Sequence, residues 1–432
     1  MSQTISRRLL VAAATGSALA LSFASSAYAE VKLTFLVDNA PATVKASEAL
    51  AEAFHAKNPD IAVEVEARAA GGEGDNIVKT RLATGEMTDV FMYNTGSLFH
   101  ALNPQQNMLD LTDQTYQPDI MDTFKSVVSE NGKIYGAPFQ TAMGGGVLYN
   151  RKIYAELGLS VPKTWADFMK NNAVIKEKSK AAPVIQTFKD TWTSQLFFLG
   201  DFYNLLAIAP TFPADFTANK AKFATTPAAT KGFEHQAEVF KAGYLNEDFG
   251  SASYDDGLRM VSSGAGVHYP MLTFSLGNLY ENYRENLNDV GFFALPGDDA
   301  TKNGLTAWMA NGIYGYAQTE HPAEVKKFIA FVASKEGCDT QTKAVGAIGP
   351  YMTKSCTLPD DVPPATKDLV AYFTEGGKNA PALEFLSPVK GPALEQITVE
   401  IGSGIRSPQD GAKLYDEDVR KQALQLGLPG WN

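Results

Sequence analysis

The 432-residue sequence has few of the residues that metal and redox centres use. It holds two cysteines, Cys338 and Cys356, and five histidines, and none of them stands in a His-x-x-x-His or Cys-x-x-Cys spacing. Zinc sites and dithiol redox sites depend on such spacings. We therefore expect no metal site and no cofactor. Because neither cysteine lies near the amino terminus, a lipid anchor attached there is excluded.

The sequence also lacks the short motifs of nucleotide binding and of hydrolytic catalysis. It contains no Gly-Lys-Ser/Thr triplet and no Gly-x-Ser-x-Gly elbow. Adjacent acids occur at Asp255-Asp256, Asp298-Asp299 and Asp360-Asp361, in polar turn contexts that are typical of solvated surface. We assign no catalytic residue and expect that the protein is not an enzyme.

Positive charge is scarce. Lys and Arg number 37 against 48 Asp and Glu, which gives a formal net charge of −11. An acidic chain does not suit a polyanion, so we expect no nucleic-acid partner and no anionic membrane surface.

Long apolar runs are missing too, apart from one near the amino terminus. There, Arg7 and Arg8 precede an apolar stretch that Thr15, Gly16 and Ser17 interrupt, and Ala-Tyr-Ala at 27–29 offers a cleavage site. The unbroken run is shorter than the roughly 20 residues of a membrane-spanning helix. We interpret residues 1–29 as a cleavable signal peptide and expect a periplasmic protein, exported by either the twin-arginine or the ordinary secretory route.

Removal of this segment leaves 403 residues with a formal charge of −13, because it carries two arginines and no acid. A chain of this length is too long for a single hydrophobic core, so we expect two lobes. In an oxidising compartment Cys338 and Cys356 form either a disulfide bridge or two buried thiols.

Helical and strand patterns alternate from residue 32 onward. The apolar run 32–37 precedes a helical pattern that Pro41 opens, and alternating apolar residues at 61–65 are followed by a helical pattern at 77–82 and the apolar run 89–93. This β-α-β-α-β order predicts an α/β fold with a parallel, doubly wound sheet.

Two further patterns mark helices in the second half of the expected fold. Thr164 with Asp167 three residues later predicts a capping box at the start of a helix. Pro322 opens another helix, whose core positions we expect at Val325, Phe328, Ile329 and Val332.

Three consecutive glycines, Gly144, Gly145 and Gly146, precede the apolar residues 147–149. A phosphate-binding loop would lead into a helix, whereas this one leads into a strand. Glycines entering a strand suit either a close approach of two backbones or a change of direction between lobes. We interpret them as a hinge.

Aromatic residues stand at the ends of several predicted elements, at Tyr93, Trp192, Tyr269 and Trp308. Each one alone is consistent with core packing. As a set they fit sugar recognition, because the C–H face of a pyranose stacks on aromatic rings while its hydroxyls bond to acids and amides.

One histidine also stands out. His268 lies in the apolar stretch GAGVHYPMLTF and is either a hydrogen-bonded core residue or a ligand contact.

Longer motifs carry a family resemblance. The clearest one is the run GKIYGAPFQTAMGGGVLYNRKIYAELGLSVPKTWADF. Shorter family motifs occur elsewhere in the chain: LATGEMTDVF, NMLDLTD, VGFFALPG, VKKFIAFVASKEG and GAIGPYM. With these motifs in this order, the sequence resembles the periplasmic solute-binding proteins of carbohydrate ABC transporters. They form extracellular solute-binding protein family 1, the group that includes maltose-binding protein.

The resemblance implies the periplasmic binding protein type II fold: two doubly wound α/β lobes, joined by a hinge of crossing segments, with a ligand cleft between them. It implies lobes of residues 30–140 with 312–350, and of residues 141–311 with 351–432. Crossings are expected at 140–146 and 311–315, with Gly312 as a hinge residue beside the three glycines.

The resemblance also suggests the ligand-binding residues. In the first lobe and its crossings these are Asp38, Asn39, Gly72-Glu73, Tyr93, Asn94, Gln140 and Asn311, and in the second lobe Trp192, His268, Tyr269, Met271, Phe274 and Trp308. The family's usual Gly-x-Ala-Ala-Met stretch is replaced here by SGAGVHYPMLTF. Whether Tyr269, Met271 or Phe274 takes the stacking role is therefore open.

We expect a monomer that captures a neutral di- or oligosaccharide and delivers it to the permease subunits of an ABC importer, which work with a cytoplasmic ATPase. One alternative is a secreted glycan-active hydrolase. The other is the same fold with a polyamine, a peptide or an anion as its ligand.

Overall fold

The computed structural model of the protein describes residues 30–374 and 376–431. The predicted signal peptide, residues 1–29, lies outside this part of the chain. Within it, no helix has the length and apolar character needed to cross a membrane.

The described residues form thirteen strands, β1 to β13 in chain order. They are β1 (Val31–Asp38), β2 (Ile61–Arg68), β3 (Val90–Tyr93), β4 (Ser129–Glu130), β5 (Lys133–Ile134), β6 (Gly136–Phe139), β7 (Met143–Asn150), β8 (Ala182–Val184), β9 (Gly266–Leu272), β10 (Val290–Ala294), β11 (Leu305–Trp308), β12 (Asn311–Gly315) and β13 (Asn379–Pro381).

The helices are α1 (Pro41–Lys57), α2 (Gly71–Thr84), α3 (Ser97–His100), α4 (Pro104–Asn107), α5 (Asp122–Val127), α6 (Arg151–Leu157), α7 (Trp165–Lys178), α8 (Leu196–Gly200), α9 (Phe202–Ile208), α10 (Phe212–Thr217), α11 (Pro227–Lys241), α12 (Tyr254–Ser263), α13 (Ser275–Asn282), α14 (Pro322–Val332), α15 (Lys335–Val345), α16 (Pro364–Val370), α17 (Leu383–Leu386), α18 (Leu394–Gly402) and α19 (Pro408–Gln425).

Two large sheets organise the molecule. The first has the strand order β2-β1-β3-β12-β6, with β2, β1 and β3 parallel and β12 antiparallel to its neighbours. The second has the order β13-β11-β7-β9-β8, with β10 also paired to β7. We call the bodies built on these sheets the first lobe and the second lobe.

The predicted parallel order is confirmed for β1, β2 and β3, and the second sheet differs from it. Its central strand β7 runs antiparallel to β9, β10 and β11. β7 enters this sheet directly from β6 of the first sheet after three residues, while the outer pairs β8–β9 and β11–β13 are parallel.

Local signals set the helix ends as expected. Pro41 stands at the first position of α1, and Gly85 ends α2 in the left-handed conformation with φ 77°. The Thr164 hydroxyl accepts a hydrogen bond from the Asp167 backbone N–H, and the Asp167 carboxylate accepts one from the Thr164 N–H. The predicted capping box is thus confirmed.

Each lobe has its own apolar core. Around the first sheet, buried side chains include Phe35, Phe91, Phe139, Tyr314 and the four α14 residues Val325, Phe328, Ile329 and Val332. Around the second sheet they include Leu148, Tyr269, Met271 and Phe292. The predicted core face of α14 is confirmed.

The chain crosses from the first sheet to the second at residues 140–142, returns at Met309-Ala310, and crosses a third time between β12 and β13. At the first crossing Gln140 has φ 66°, a strained value for a residue with a side chain. Its backbone N–H donates to Gln341 Oε1 at 2.9 Å, and its side-chain Nε2 donates to Thr43 Oγ1 at 3.3 Å. These bonds to the first lobe hold the turn in place.

The predicted glycine hinge needs correction. Gly144, Gly145 and Gly146 lie inside β7, after the chain has already changed sheets, and Gly312 lies inside β12. A Cβ on Gly146 would come within 2.4 Å of the Phe293 carbonyl oxygen, and one on Gly312 within 2.2 Å of the Tyr314 hydroxyl. These glycines allow close packing, the other interpretation that a glycine-rich strand permits.

The two cysteines are bridged. The Cys338–Cys356 disulfide joins α15 to the segment that follows it, with a sequence separation of 18. Within this loop the Tyr351 hydroxyl donates to the Cys338 carbonyl at 3.0 Å, and Tyr351 pairs with Thr141 of the first crossing. The bridge therefore fastens a segment that contacts the junction between the lobes.

Candidate ligand-binding cleft

A cleft of about 600 Å³ lies between the two lobes. Its first-lobe wall is polar. Asp38 and Asn39 follow β1, Asn94 follows β3, Gln140 follows β6, and Asp75 is presented by the first turns of α2. Open α/β sheets place such side chains beyond the carboxyl ends of their strands, which explains why residues far apart in sequence share this wall.

The facing second-lobe wall is aromatic. Ring centroids lie 5.2 Å apart for Trp192 and Tyr254, 5.8 Å for Trp192 and Phe274, and 5.9 Å for Tyr254 and Phe274. All three rings line the cleft and are half-buried. We call this cluster the aromatic wall.

Trp308 forms a deeper part of the same lining, and α17 together with the segment after it holds the ring in place. The ring is 6% exposed, and its Nε1 donates to Glu384 Oε1 at 2.8 Å. Lys390 Nζ donates to Glu384 Oε2, also at 2.8 Å. Burial disfavours a charged Lys390, but the attraction of Glu384, with Asp75 and Glu395 beyond it, outweighs burial and raises the lysine pKa.

The carboxyl groups of the first-lobe wall are also perturbed by burial. Burial raises the pKa of Asp38 against the opposing effects of the Ala40 N–H and of Arg68, and it raises the pKa of Asp75 against Arg68 and lysine charges. The Arg68 side chain is 7% exposed and donates from Nη1 to the Ala69 carbonyl at 2.9 Å. A ligand here would meet desolvated acceptors held around one guanidinium.

The lobes are in contact across the cleft. A Cβ on Gly71 of α2 would lie 3.3 Å from Trp192 Cδ1, and one on Gly96 would lie 2.6 Å from the Glu384 carbonyl oxygen. Both glycines have positive φ, at 67° and 69°, so their conformations favour glycine as well.

No group of three or more His, Cys, Asp or Glu side chains that could hold a metal ion occurs in residues 30–374 and 376–431. Six carboxyl side chains and three cationic ones line the cleft, together with amide and aromatic side chains. The arrangement offers stacking faces and hydrogen-bonding groups.

Residues 40–337 match the model of the bacterial extracellular solute-binding protein family. This chain belongs to that family. The match runs from just before α1 to α15, and it includes the aromatic wall, Trp308 and the first-lobe cleft residues other than Asp38 and Asn39.

Two curated relatives of this solute-binding protein are similar in sequence. The Multiple sugar-binding protein of Streptococcus mutans is 26% identical over 65% of this chain and 66% of its own length. The Melibiose/raffinose/stachyose-binding protein MelE of Bacillus subtilis is 31% identical over 31% of this chain and 30% of its own length. The matched segments thus span less than two thirds of either relative.

One similar solved structure comes from work on xylan utilization by the thermophilic bacterium Caldanaerobius polysaccharolyticus, and its TM-score to this chain is 0.76. It is 17% identical and covers 90% of this chain and 100% of its own. This likeness shows the fold, which is the periplasmic binding protein type II fold.

Eight predicted binding residues line the cleft of this solute-binding protein. They are Asp38, Asn39, Asn94, Gln140, Trp192, Phe274, Trp308 and Asn311, together with Gly72. Their contact with a ligand stays a prediction. Among the three candidates for the open stacking position, only Phe274 lies in the cleft lining.

Five predicted binding residues lie elsewhere. Glu73 is exposed on α2, where Asp75 faces the cleft instead, and Tyr93 is fully buried in β3. His268, Tyr269 and Met271 are at most 1% exposed, because β9 is covered on both faces up to residue 271. The lining begins where the strand ends, at Leu272 and Phe274, so assigning the mid-strand residues to the cleft was wrong.

His268 is the hydrogen-bonded core residue that the sequence left as one of two alternatives. Its Nε2 lies 2.6 Å from the Tyr154 hydroxyl and its Nδ1 lies 2.8 Å from Asn172 Oδ1. Burial lowers its pKa to about 3.

Acid should destabilise the protein through this histidine. Between pH 6.5 and about 3 the unfolded chain binds a proton at His268 and the folded chain does not. The free energy of unfolding is therefore unaffected by His268 above pH 6.5 and falls as the pH decreases below that value. His268→Gln should remove about 1.4 kcal/mol per pH unit from this slope. Urea unfolding at pH 6 and pH 5 measures the change, and an unaltered slope in the variant would contradict it.

Sequence reasoning missed several cleft residues. Arg68 and Asp75 lie close to predicted positions, and the helical period of α2 could have indicated Asp75. Tyr254 opens α12, and the segment containing Glu384, Lys390 and Glu395 returns from the carboxyl-terminal part of the chain. Its proline-rich sequence gave no sign of this long-range contact.

Gly145 has a specific role beneath Trp308. A Cβ there would lie 2.4 Å from Trp308 Cζ3, so Gly145→Ala should displace the indole ring and destabilise the protein by about 1–3 kcal/mol. Thermal unfolding measures this loss, and Trp fluorescence should report the displaced ring. Gly250→Ala is the control, because no atom lies within 4 Å of its added methyl group. Equal stability of the two variants would contradict the assignment.

Proposed function

We propose that this protein is the substrate-binding component of an ABC importer. It captures a neutral carbohydrate, a di- or oligosaccharide, between its lobes and delivers it to a membrane permease. Ligand favours the closed arrangement because only that arrangement lets both lobes contact it.

One observation carries the proposal: the aromatic wall faces a polar wall across a single cleft. A sugar ring presents an apolar face for stacking and a rim of hydroxyls that donate to Asp38 and Asp75 or bond with Asn39 and Asn94. Sugar rings are rigid, so ordering them in the cleft costs little conformational entropy.

The charges of the cleft support a neutral ligand. Six carboxyl side chains outnumber three cationic ones, which disfavours an anion. Glu384 is already paired with Lys390, and Asp38 and Asp75 share the neighbourhood of Arg68, which leaves fewer free acids than a polyamine would use. The names of the two relatives, both sugar-binding, point in the same direction.

We further infer that no bond chemistry takes place in the cleft, since the family consists of solute-binding proteins. The partners are permease subunits with their cytoplasmic ATPase, and the protein acts as a monomer in the periplasm after removal of residues 1–29. The family description as extracellular supports export.

For the lobes we keep the proposed boundaries, residues 30–140 with 312–350 and residues 141–311 with 351–432, except that Asn311 begins β12 of the first sheet and Met352 packs in the first-lobe core. We propose that closure bends the chain at residues 140–142 and at Met309-Ala310. The strained turn at Gln140 and its bonds to Gln341 and Thr43 support this position.

A thermal-shift panel tests the proposed ligand class. It should contain neutral oligosaccharides of the raffinose, xylan and malto series, a polyamine, a short peptide and a phosphate ester. A raised melting temperature with at least one oligosaccharide, and none with the other classes, is the expected result. A shift confined to the polyamine, the peptide or the phosphate ester would overturn the carbohydrate assignment.

A further inference from the structure

The amino terminus of α1 is capped by the other lobe. Ala40, the residue before the helix, provides no side-chain cap. The backbone N–H of Ala42, one of the donors left free at a helix start, instead donates to Asn278 Oδ1 at 2.9 Å. Asn278 lies on α13 of the second lobe and is 1% exposed. An asparagine oxygen in this role stabilises a helix start as an ordinary cap does.

The same side chain reaches the aromatic wall. Asn278 Nδ2 donates to the Tyr254 hydroxyl at 2.9 Å, and the Tyr254 ring packs against Trp192 and Phe274. One buried amide thus bonds a first-lobe helix with its oxygen and a cleft-lining ring with its nitrogen.

The two helices fit closely around this contact. A Cβ on Gly277 would lie 3.0 Å from the Ala42 Cβ, so a larger residue would press the helices apart. One turn further along both helices, Lys45 and Glu281 form an exposed ion pair between the lobes. Of these three contacts between α1 and α13, the hydrogen bond of the Asn278 amide is the one that is both polar and buried.

We propose that Asn278 is a positioning residue that couples closure of the lobes to the aromatic wall. This inference rests on the proposed function. When the lobes separate, the hydrogen bond from the Ala42 N–H to the Asn278 side-chain oxygen is broken. When they close on a ligand, Asn278 caps α1 and at the same time fixes the hydroxyl of the ring on which the ligand stacks.

Titration calorimetry with the oligosaccharide selected by the panel tests the proposal, with solution scattering as a second readout. Asn278→Ala should weaken binding about tenfold, because it removes a cap and a second hydrogen bond. At a ligand concentration that saturates the wild type, its radius of gyration should stay nearer the unliganded value.

Asn204→Ala is the matched control. Asn204 is buried in the second lobe and donates to Asp201 and to the Leu295 carbonyl of the same lobe, without a bond across the cleft. It should lower the melting temperature and leave the dissociation constant within about twofold of wild type. Equal dissociation constants for Asn278→Ala and the wild type would overturn the proposal.

A double-mutant cycle separates coupling from a purely structural role. Tyr254→Phe removes only the hydroxyl and should weaken binding by a few-fold. Combined with Asn278→Ala it should add no further loss, since both changes break the same link. Fully additive losses would overturn the coupling. A wild type that binds no oligosaccharide would instead count against the proposed function itself.

Discussion

Replacing Trp192 by alanine is expected to weaken oligosaccharide binding by about tenfold, or ~1.4 kcal/mol. The ring is half-buried, forms the aromatic wall with Tyr254 and Phe274, and lies so near Gly71 of the facing lobe that a Cβ there would be 3.3 Å from Trp192 Cδ1. Its loss removes a stacking face and part of the contact between the closed lobes. Titration calorimetry with wild type and variant measures the difference.

Tyr244→Ala is the control for this change. Tyr244 is also half-buried in the second lobe, under Lys176 and away from the cleft lining. It should cost stability without changing affinity. Unchanged affinity in Trp192→Ala, or the same loss in both variants, would show that the aromatic wall is not where the sugar stacks.

Removal of the disulfide is expected to cost about 3 kcal/mol of stability, because the bridge closes a short loop in the unfolded chain. Cys338→Ala with Cys356→Ala removes the bridge without leaving free thiols, and it places a small apolar residue at Cys338, which is 3% exposed. Urea unfolding of the wild type and of the double variant measures the loss.

The reductant dithiothreitol supplies the control for the disulfide. It should lower the stability of the wild type towards that of the double variant and leave the double variant unchanged. A double variant as stable as the oxidised wild type would contradict a stabilising bridge. Since Tyr351 of the same loop pairs with Thr141 at the lobe junction, the loss should also loosen that junction.

The sequence predicted the first lobe well because its signals are local. Pro41 sets the start of α1, Gly85 sets the end of α2, and the apolar runs of β1 and β3 need no distant partner to be recognised. The capping box at Thr164 is equally local. Such features depend on backbone geometry within a few residues.

The glycines show where local information ends. A run of three glycines permits bending and also permits close contact, and the sequence does not say which is used. The choice is made by partners far along the chain, Trp308 over Gly145 and Phe293 beside Gly146. Only the fold brings these residues together.

The site was predicted where it follows strand ends and missed where it does not. Asp38, Asn39 and Asn94 come directly after strands of a parallel sheet, so their position follows from topology. His268 and Tyr269 stand in the middle of β9, and their burial depends on helices that cover both faces of that strand. Glu384 and Lys390 reach the cleft through a tertiary contact that no sequence period encodes.

Calorimetric titration of the mature protein with neutral oligosaccharides tests the central claim, that the two lobes hold such a sugar and leave it unaltered. We predict saturable binding of one molecule per chain, with a baseline that returns after each injection. The absence of binding heat with every saccharide, or a continuing heat signal from turnover, would contradict the account.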